Sequence, residues 1–167
     1  MKKQARQSMT RHLVTINWSE TMETARARMQ RHRCRHLPVL NDMGQVVGML
    51  SDRDVQRSMI SQVKHEYTGA VASESAKFDP EAKVRDYMGW PVLSVEHDAD
   101  LREVAQRMLR EKVSSFIVKN GGNIIGIITS DDLLKVLVDL LKDPKTPLRW
   151  TLQEILGDAA TLDAVLI

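Results

Sequence analysis

The chain has 167 residues, room for one ordinary domain or for two small repeats sharing a core. Hydrophobic residues at 43% and charged residues at 28% fit a soluble globular protein, and no apolar run approaches the length a bilayer requires, so no membrane partner is expected. The net charge of +2 hides an uneven split: residues 1–36 carry nine Lys or Arg against Glu20 and Glu23, which points to an anionic partner such as a nucleotide phosphate, nucleic acid or an acidic protein.

In chain order, the N-terminus MKKQARQSMT has two lysines but no apolar segment behind them, so no signal peptide is expected. The single cysteine, Cys34, allows no internal disulfide, which fits a reducing, cytoplasmic location. A short β-branched strand is predicted over His12 to Asn17, and an amphipathic helix over Glu20 to Arg31. A hairpin follows: His36 to Leu40, the turn Asn41-Asp-Met-Gly44, then Gln45 to Leu50. A closing helix begins near Asp52. The polar stretch 61–79 reads as linker. Asp79-Pro80-Glu81 predicts a helix start, with Gly89 as the residue that ends it.

The second half repeats this order. Val92 to Glu96 predicts a strand and Ala99 to Glu111 a helix, capped by Asp98 or Asp100. Ser115 to Val118, the turn Asn120-Gly-Gly-Asn123 and Ile124 to Ile128 predict the second hairpin. The closing helix from Ser130 to Leu141 is apolar nearly all round, which predicts burial against another element or another subunit. Thr146-Pro147 and the stripe Leu148, Leu152, Ile155 and Leu156 predict a tail helix that caps the core or docks a partner.

The two halves align residue by residue. At an offset of 79, Arg6 meets Arg85, Met9 meets Met88, Thr15 meets Ser94 and Arg28 meets Arg107. A one-residue gap in the hairpin turn changes the offset to 78, where Gly48 meets Gly126, Ser51 meets Thr129 and Asp54 meets Asp132. Neither half alone can bury both faces of its short strands, so the two are expected to pack about a pseudo-twofold axis. The predicted fold is mixed α/β: two tandem β-α-β-β-α repeats at 5–64 and 84–142, a linker at 65–83 and a helical tail at 143–167.

Chemistry concentrates at the recurring strand-to-helix junction, Gly48-Met-Leu-Ser51-Asp-Arg-Asp54 and Gly126-Ile-Ile-Thr129-Ser-Asp-Asp132. A hydroxyl at a helix N-terminus, with free N–H groups behind it, suits a phosphate. A carboxylate one turn along can accept from both hydroxyls of a ribose. The same Ser-x-x-Asp spacing is equally a capping box that binds nothing. His32, Cys34 and His36 alternate like strand ligands, but three residues interleaved with arginines make a poor zinc site. Cys34 reads as a small semi-buried residue; if exposed, it is expected to be an oxidisable thiol. The basic run Arg26 to His36 lacks interleaved aromatics, so nucleic acid is not the favoured partner. No P-loop, Gly-x-Ser-x-Gly or HExxH motif is present, and the reading is non-catalytic.

The Arg-x-x-Met lead-ins, Val14-Thr15-Ile16, Leu93-Ser94-Val95, Arg35-His36-Leu37-Pro38-Val39 and the two Gly-x-x-(Ser/Thr)-x-x-Asp junctions together resemble the CBS domain, which occurs as tandem pairs called Bateman modules. The resemblance implies a regulatory sensor that binds AMP, ADP, ATP or another adenosyl compound, such as NAD or S-adenosylmethionine, between its sheets. It implies ribose contacts from Asp54 and Asp132, with Ser51 and Thr129 beside them, and phosphate contacts from Arg35, His36 and Arg53. It places backbone groups in the strands near Val14, Leu37, Val39 and Val92 against the adenine, with Thr15, Ser94 and Ser115 as further strand contacts. Because Ser114 and Ser115 stand where the first repeat has Arg35 and His36, it implies one better-charged site. It also implies a homodimer packed through helices and an effector protein. A ligand-free dimerisation scaffold and a nucleic-acid-binding accessory are the competing readings.

Overall fold

The computed structural model describes residues 3–60 and 81–142. The linker core, the Asp79-Pro80 helix start and the C-terminal tail lie outside them. The described chain forms two three-stranded sheets with five α-helices, in the mixed α/β arrangement expected of two tandem repeats. After a four-residue helix α1 (Ala5–Ser8), the first repeat runs β1 (Ile16–Asn17), α2 (Met22–His32), β2 (His36–Leu40), β3 (Val46–Ser51) and α3 (Asp52–Ile60). The second runs β4 (Ser94–Glu96), α4 (Leu101–Glu111), β5 (Ser115–Asn120), β6 (Asn123–Thr129) and α5 (Ser130–Lys142). In each sheet the first strand pairs in parallel with the second, and the second pairs antiparallel with the third.

The helix starts follow local chemistry. Thr21 caps α2 by accepting from the Thr24 N–H, and Asp100, not Asp98, caps α4 by accepting from Arg102 N–H at 2.8 Å. Both helices end on a left-handed residue that is not glycine, Arg33 at φ 51° and Lys112 at φ 56°. The strands β1 and β4 are shorter than the β-branched runs predicted, because Val14 and Val92 precede the paired residues. The predicted helix from Asp79 to Gly89 is not formed in its described part. Only a 3-10 turn stands there, Val84–Asp86, and Gly89 is no helix terminator. The backbone of this stretch is committed elsewhere: Val84 N–H donates to Glu20 C=O and Arg85 N–H to Trp18 C=O.

Those bonds show how the repeats interlock. The stretch that leads into repeat 2 packs on repeat 1, where Val84, Tyr87 and Met88 join the core of Ile16, Met22, Leu37, Val39 and Leu50. The N-terminal lead-in does the reverse, placing Ala5 and Met9 in the core of Val104, Phe116, Val118 and Ile128. Each lead-in then bridges the last strand of the other repeat. Met49 and Gly89 exchange both backbone hydrogen bonds at 2.9 Å, and Thr10 and Ile127 do so at 2.8 and 2.9 Å.

This crossing explains the glycine of each junction. A Cβ on Gly48 would stand 2.7 Å from Met88 Sδ and 2.9 Å from Gly89 O. A Cβ on Gly126 would stand 2.8 Å from both Met9 Sδ and Thr10 O. Only a bare Cα lets the partner lead-in pass at that distance. The closing helix α5 buries one side, with Leu133 and Val136 packed on the core. Its other side packs on no element of the described chain: Leu134, Leu137, Val138, Leu140 and Leu141 are all exposed, which leaves another subunit as the predicted alternative for that face.

Candidate functional site

The exchange of lead-ins creates two clefts between the repeats. One is lined by the junction Ser51, Arg53, Asp54 and Arg57 of repeat 1, facing Trp90, Pro91, Val92, Leu93 and the Lys112–Ser115 segment of repeat 2. The other is lined by Thr129, Asp131, Asp132 and Lys135 of repeat 2, facing His12, Leu13, Val14 and the His32–His36 segment of repeat 1. These sets are equivalent under the repeat alignment, so the clefts are related by the pseudo-twofold. Their volumes are about 550 and 310 Å³.

Each cleft holds a buried carboxylate. Asp54 is 9% exposed and Asp132 5%. Asp54 Oδ2 accepts from the Ser51 N–H and hydroxyl, both at 2.7 Å. Asp132 Oδ2 accepts from the Thr129 N–H and hydroxyl, both at 2.9 Å. Half of the capping box is therefore formed at both junctions: the aspartate accepts from the N–H of the residue before the helix, while the hydroxyl donates to the same carboxylate oxygen. Capping occupies only one oxygen. Asp54 Oδ1 meets Arg57, and Asp132 Oδ1 meets the Lys135 ammonium at 3.0 Å; both cations are well exposed. A carboxylate offers about four acceptor positions, so each aspartate keeps lone pairs on an oxygen whose present partner swings into solvent. The cap fixes the carboxylate that a ligand would meet.

Arg35 does not join Arg53 in one charged site, although His36 borders both clefts. Arg53 lines the Asp54 cleft. Arg35 lines the Asp132 cleft and pairs across the repeat boundary with Asp131. The crossing of the lead-ins is the cause: each junction faces the other repeat's helix-to-strand turn. His36, 9% exposed, borders both clefts, and its Nε2 lies 2.8 Å from Ser114 Oγ. Burial pushes the His36 imidazole below its ordinary range. Asp52, Asp131 and Asp54 pull the other way, and Arg35 adds to the lowering.

Val14, Val92 and Ser115 line the clefts as expected. The side chains of Leu37 and Val39 are fully buried in the first core, and Pro38 between them lines the Asp132 cleft. Strand alternation makes the choice. Thr15 and Ser94 also lie outside both clefts. Their carbonyls anchor the helices, accepting from Arg28 Nη1 at 2.6 Å and Arg107 Nη1 at 3.0 Å. Sequence reasoning missed Arg57, Lys112 and Trp90 in one cleft and Arg33 and Lys135 in the other. Arg57 and Lys135 had a legible signal, since each sits three residues after its junction aspartate on a helix.

Cys34 is half-buried on the wall of the Asp132 cleft, in line with the semi-buried position expected, and burial pushes its thiol up. Among the described residues no three His, Cys, Asp or Glu side chains converge to hold a metal, and no helix is long and apolar enough to cross a membrane.

Comparison with known proteins agrees with this architecture. Protein MJ1404 of Methanocaldococcus jannaschii is 30% identical over 134 residues, covering 80% of this chain and 32% of that protein. The chain spans 32% to 58% of the length of three curated relatives it matches, from Methanocaldococcus jannaschii and Methanopyrus kandleri. A conserved protein of Pyrococcus horikoshii has a similar structure, at TM-score 0.68 and 24% identity, covering 82% of this chain and 93% of that one. So has the CBS domain pair of protein MJ0100, solved with 5'-methylthioadenosine and S-adenosyl-L-methionine, at TM-score 0.67 and 17% identity over 83% of this chain and 98% of that one. The family profile of the CBS domain matches twice, at residues 5–61 and 84–139, and the chain belongs to that family as a tandem pair.

Proposed function

We propose that this CBS pair is a non-catalytic regulatory module that binds an adenine nucleotide between its repeats. The observation that carries the reading is the pair of equivalent clefts, each with a buried, cap-fixed aspartate. In this reading Asp54 and Asp132 accept from ribose hydroxyls through Oδ1, displacing Arg57 or Lys135. Ser51 and Thr129 border the sugar, and Val92, Ser115 and Val14 form the base-side walls. Arg53, Arg35 and His36 supply positive charge or hydrogen bonds toward phosphates. A related fold binding adenosyl compounds supports the ligand class. A ligand held by both repeats favours their closed arrangement, and it shifts that equilibrium only by its differential affinity for the two states.

Calorimetric titration with AMP, ADP, ATP, NAD and S-adenosylmethionine tests this. Saturable binding of one of them, lost in the Asp54→Ala, Asp132→Ala double variant, is the expected result. No heat from folded protein with any of them transfers the function to a ligand-free scaffold, in which the aspartates only cap helices. The exposed leucines of α5 supply an apolar face for a second copy of the chain, as a homodimer through helices requires. Sedimentation of Leu137→Glu against the unaltered protein reads that contact.

A further inference from the structure

We infer that the two clefts divide the work, and that the Asp54 cleft takes the phosphate-bearing ligand, with Trp90 covering the base and Arg53 and Lys112 meeting the phosphates. The inference rests on the adenosyl reading above and assigns the phosphate-bearing ligand to one of the two clefts. The charge at one matched position is the first reason. Arg53 and Lys112 enter the Asp54 cleft from opposite repeats, and among the described residues neither side chain makes an ion pair or a hydrogen bond. Among the described residues Arg33, the counterpart of Lys112, is likewise without a side-chain partner in the Asp132 cleft, so the clefts differ at Arg53 against Asp131. In the Asp132 cleft the place of Arg53 is held by Asp131. That carboxylate opposes an anion and already engages Arg35, while Lys135 is tied to Asp132. A phosphate entering there meets a carboxylate where the other cleft offers a guanidinium, the group best matched to its oxygens.

Space and apolar surface point the same way. The Asp54 cleft, at about 550 Å³, sits well inside the range of roughly 300–1,000 Å³ typical of small-molecule sites, and the Asp132 cleft, at about 310 Å³, sits at its floor. Trp90 lines the larger cleft and is 76% exposed. A large exposed indole on the wall of a groove is a ready stacking surface for a purine. Its counterpart under the repeat alignment is Arg11, which offers no ring.

The test uses two matched charge reversals on exposed residues, Arg53→Asp in the Asp54 cleft and Arg33→Asp in the other. Arg33 is the counterpart of Lys112, and aspartate tolerates its left-handed backbone. Calorimetry with ATP and with adenosine is run on both variants, on Trp90→Ala and on the unaltered protein, with thermal melts to confirm folding. Arg53→Asp is expected to weaken ATP about tenfold or more, the loss of one charged contact, and to leave adenosine unchanged. Arg33→Asp leaves ATP within about twofold, and Trp90→Ala weakens ATP and adenosine alike. Loss of ATP affinity in Arg33→Asp with none in Arg53→Asp overturns the cleft assignment alone. Equal losses in both overturn the division of labour. Absence of adenosyl binding by the unaltered protein overturns the underlying reading as well.

Discussion

Arg28 and Arg107 do the same job in their repeats, each donating to the carbonyl that precedes its sheet's first core residue. Asp54 and Asp132 accept the same two hydrogen bonds from the residue three positions before them. In these backbone anchors and caps the two repeats agree, although Arg28 pairs with Glu20 and Arg107 with Glu111. Between repeats they part. Where repeat 1 brings Arg35, His36 and Arg53 to the boundary, repeat 2 brings Ser114, Ser115 and Asp131. Residues that build each half are held to the pattern by packing. Residues that face the other half carry no such constraint, and there the charges have diverged. The lesson is that symmetry in this fold describes the scaffold, and function must be sought where the symmetry fails.

Breaking the symmetric part has the largest expected effect. Gly48→Ala and Gly126→Ala each force a Cβ against a backbone carbonyl that cannot move freely. Each is expected to cost about 1–3 kcal/mol in urea unfolding, as overpacking does, and near-equal losses would show that both crossings matter alike. Next come the caps. Asp54→Ala and Asp132→Ala each remove the acceptor at a helix N-terminus, with an expected loss of roughly 0.5–2 kcal/mol by the same measurement.

A pH experiment sharpens the asymmetry, because repeat 2 has no counterpart of His36. Its folded pKa lies below the ordinary 6.5, so the native state binds fewer protons than the unfolded chain. The stability it allows is complete above 6.5 and falls away as pH drops toward the lowered folded value. Urea unfolding at about pH 7.5 and about pH 5.5 is expected to show a smaller acid loss in His36→Gln than in the unaltered protein. The smallest effect is expected from the Arg35–Asp131 pair. Both side chains are about half exposed, so a double-mutant cycle should return a coupling of roughly 0–1 kcal/mol.

The scaffold was legible in the sequence to a large extent. Period and turn chemistry gave the helices and both hairpins within a few residues, because Asn41 to Gly44 and Asn120 to Asn123 turn as their composition demands. The stretch before Gly89 was misread because Asp-Pro-Glu reports only local preference. Its backbone pairs with repeat 1, a contact no local signal records. The same long-range crossing hid the site's true grouping. Arg35, His36 and Arg53 are near one another in sequence terms, but the exchange of lead-ins sends Arg53 to one cleft and Arg35 to the other. The junction aspartates were found because their spacing repeats. Trp90 and Lys112 were not, because their importance comes only from what faces them.

In the proposed function a cap-fixed aspartate between the repeats holds the ribose of an adenine nucleotide. The decisive measurement is a crystal structure of the protein grown with ATP. Nucleotide is expected in the cleft beside Ser51 and Val92, with a ribose hydroxyl donating to Asp54 Oδ1 and Arg57 swung away from that oxygen. Nucleotide bound elsewhere, or an Asp54 still paired with Arg57 above an empty cleft at saturating ATP, would contradict it.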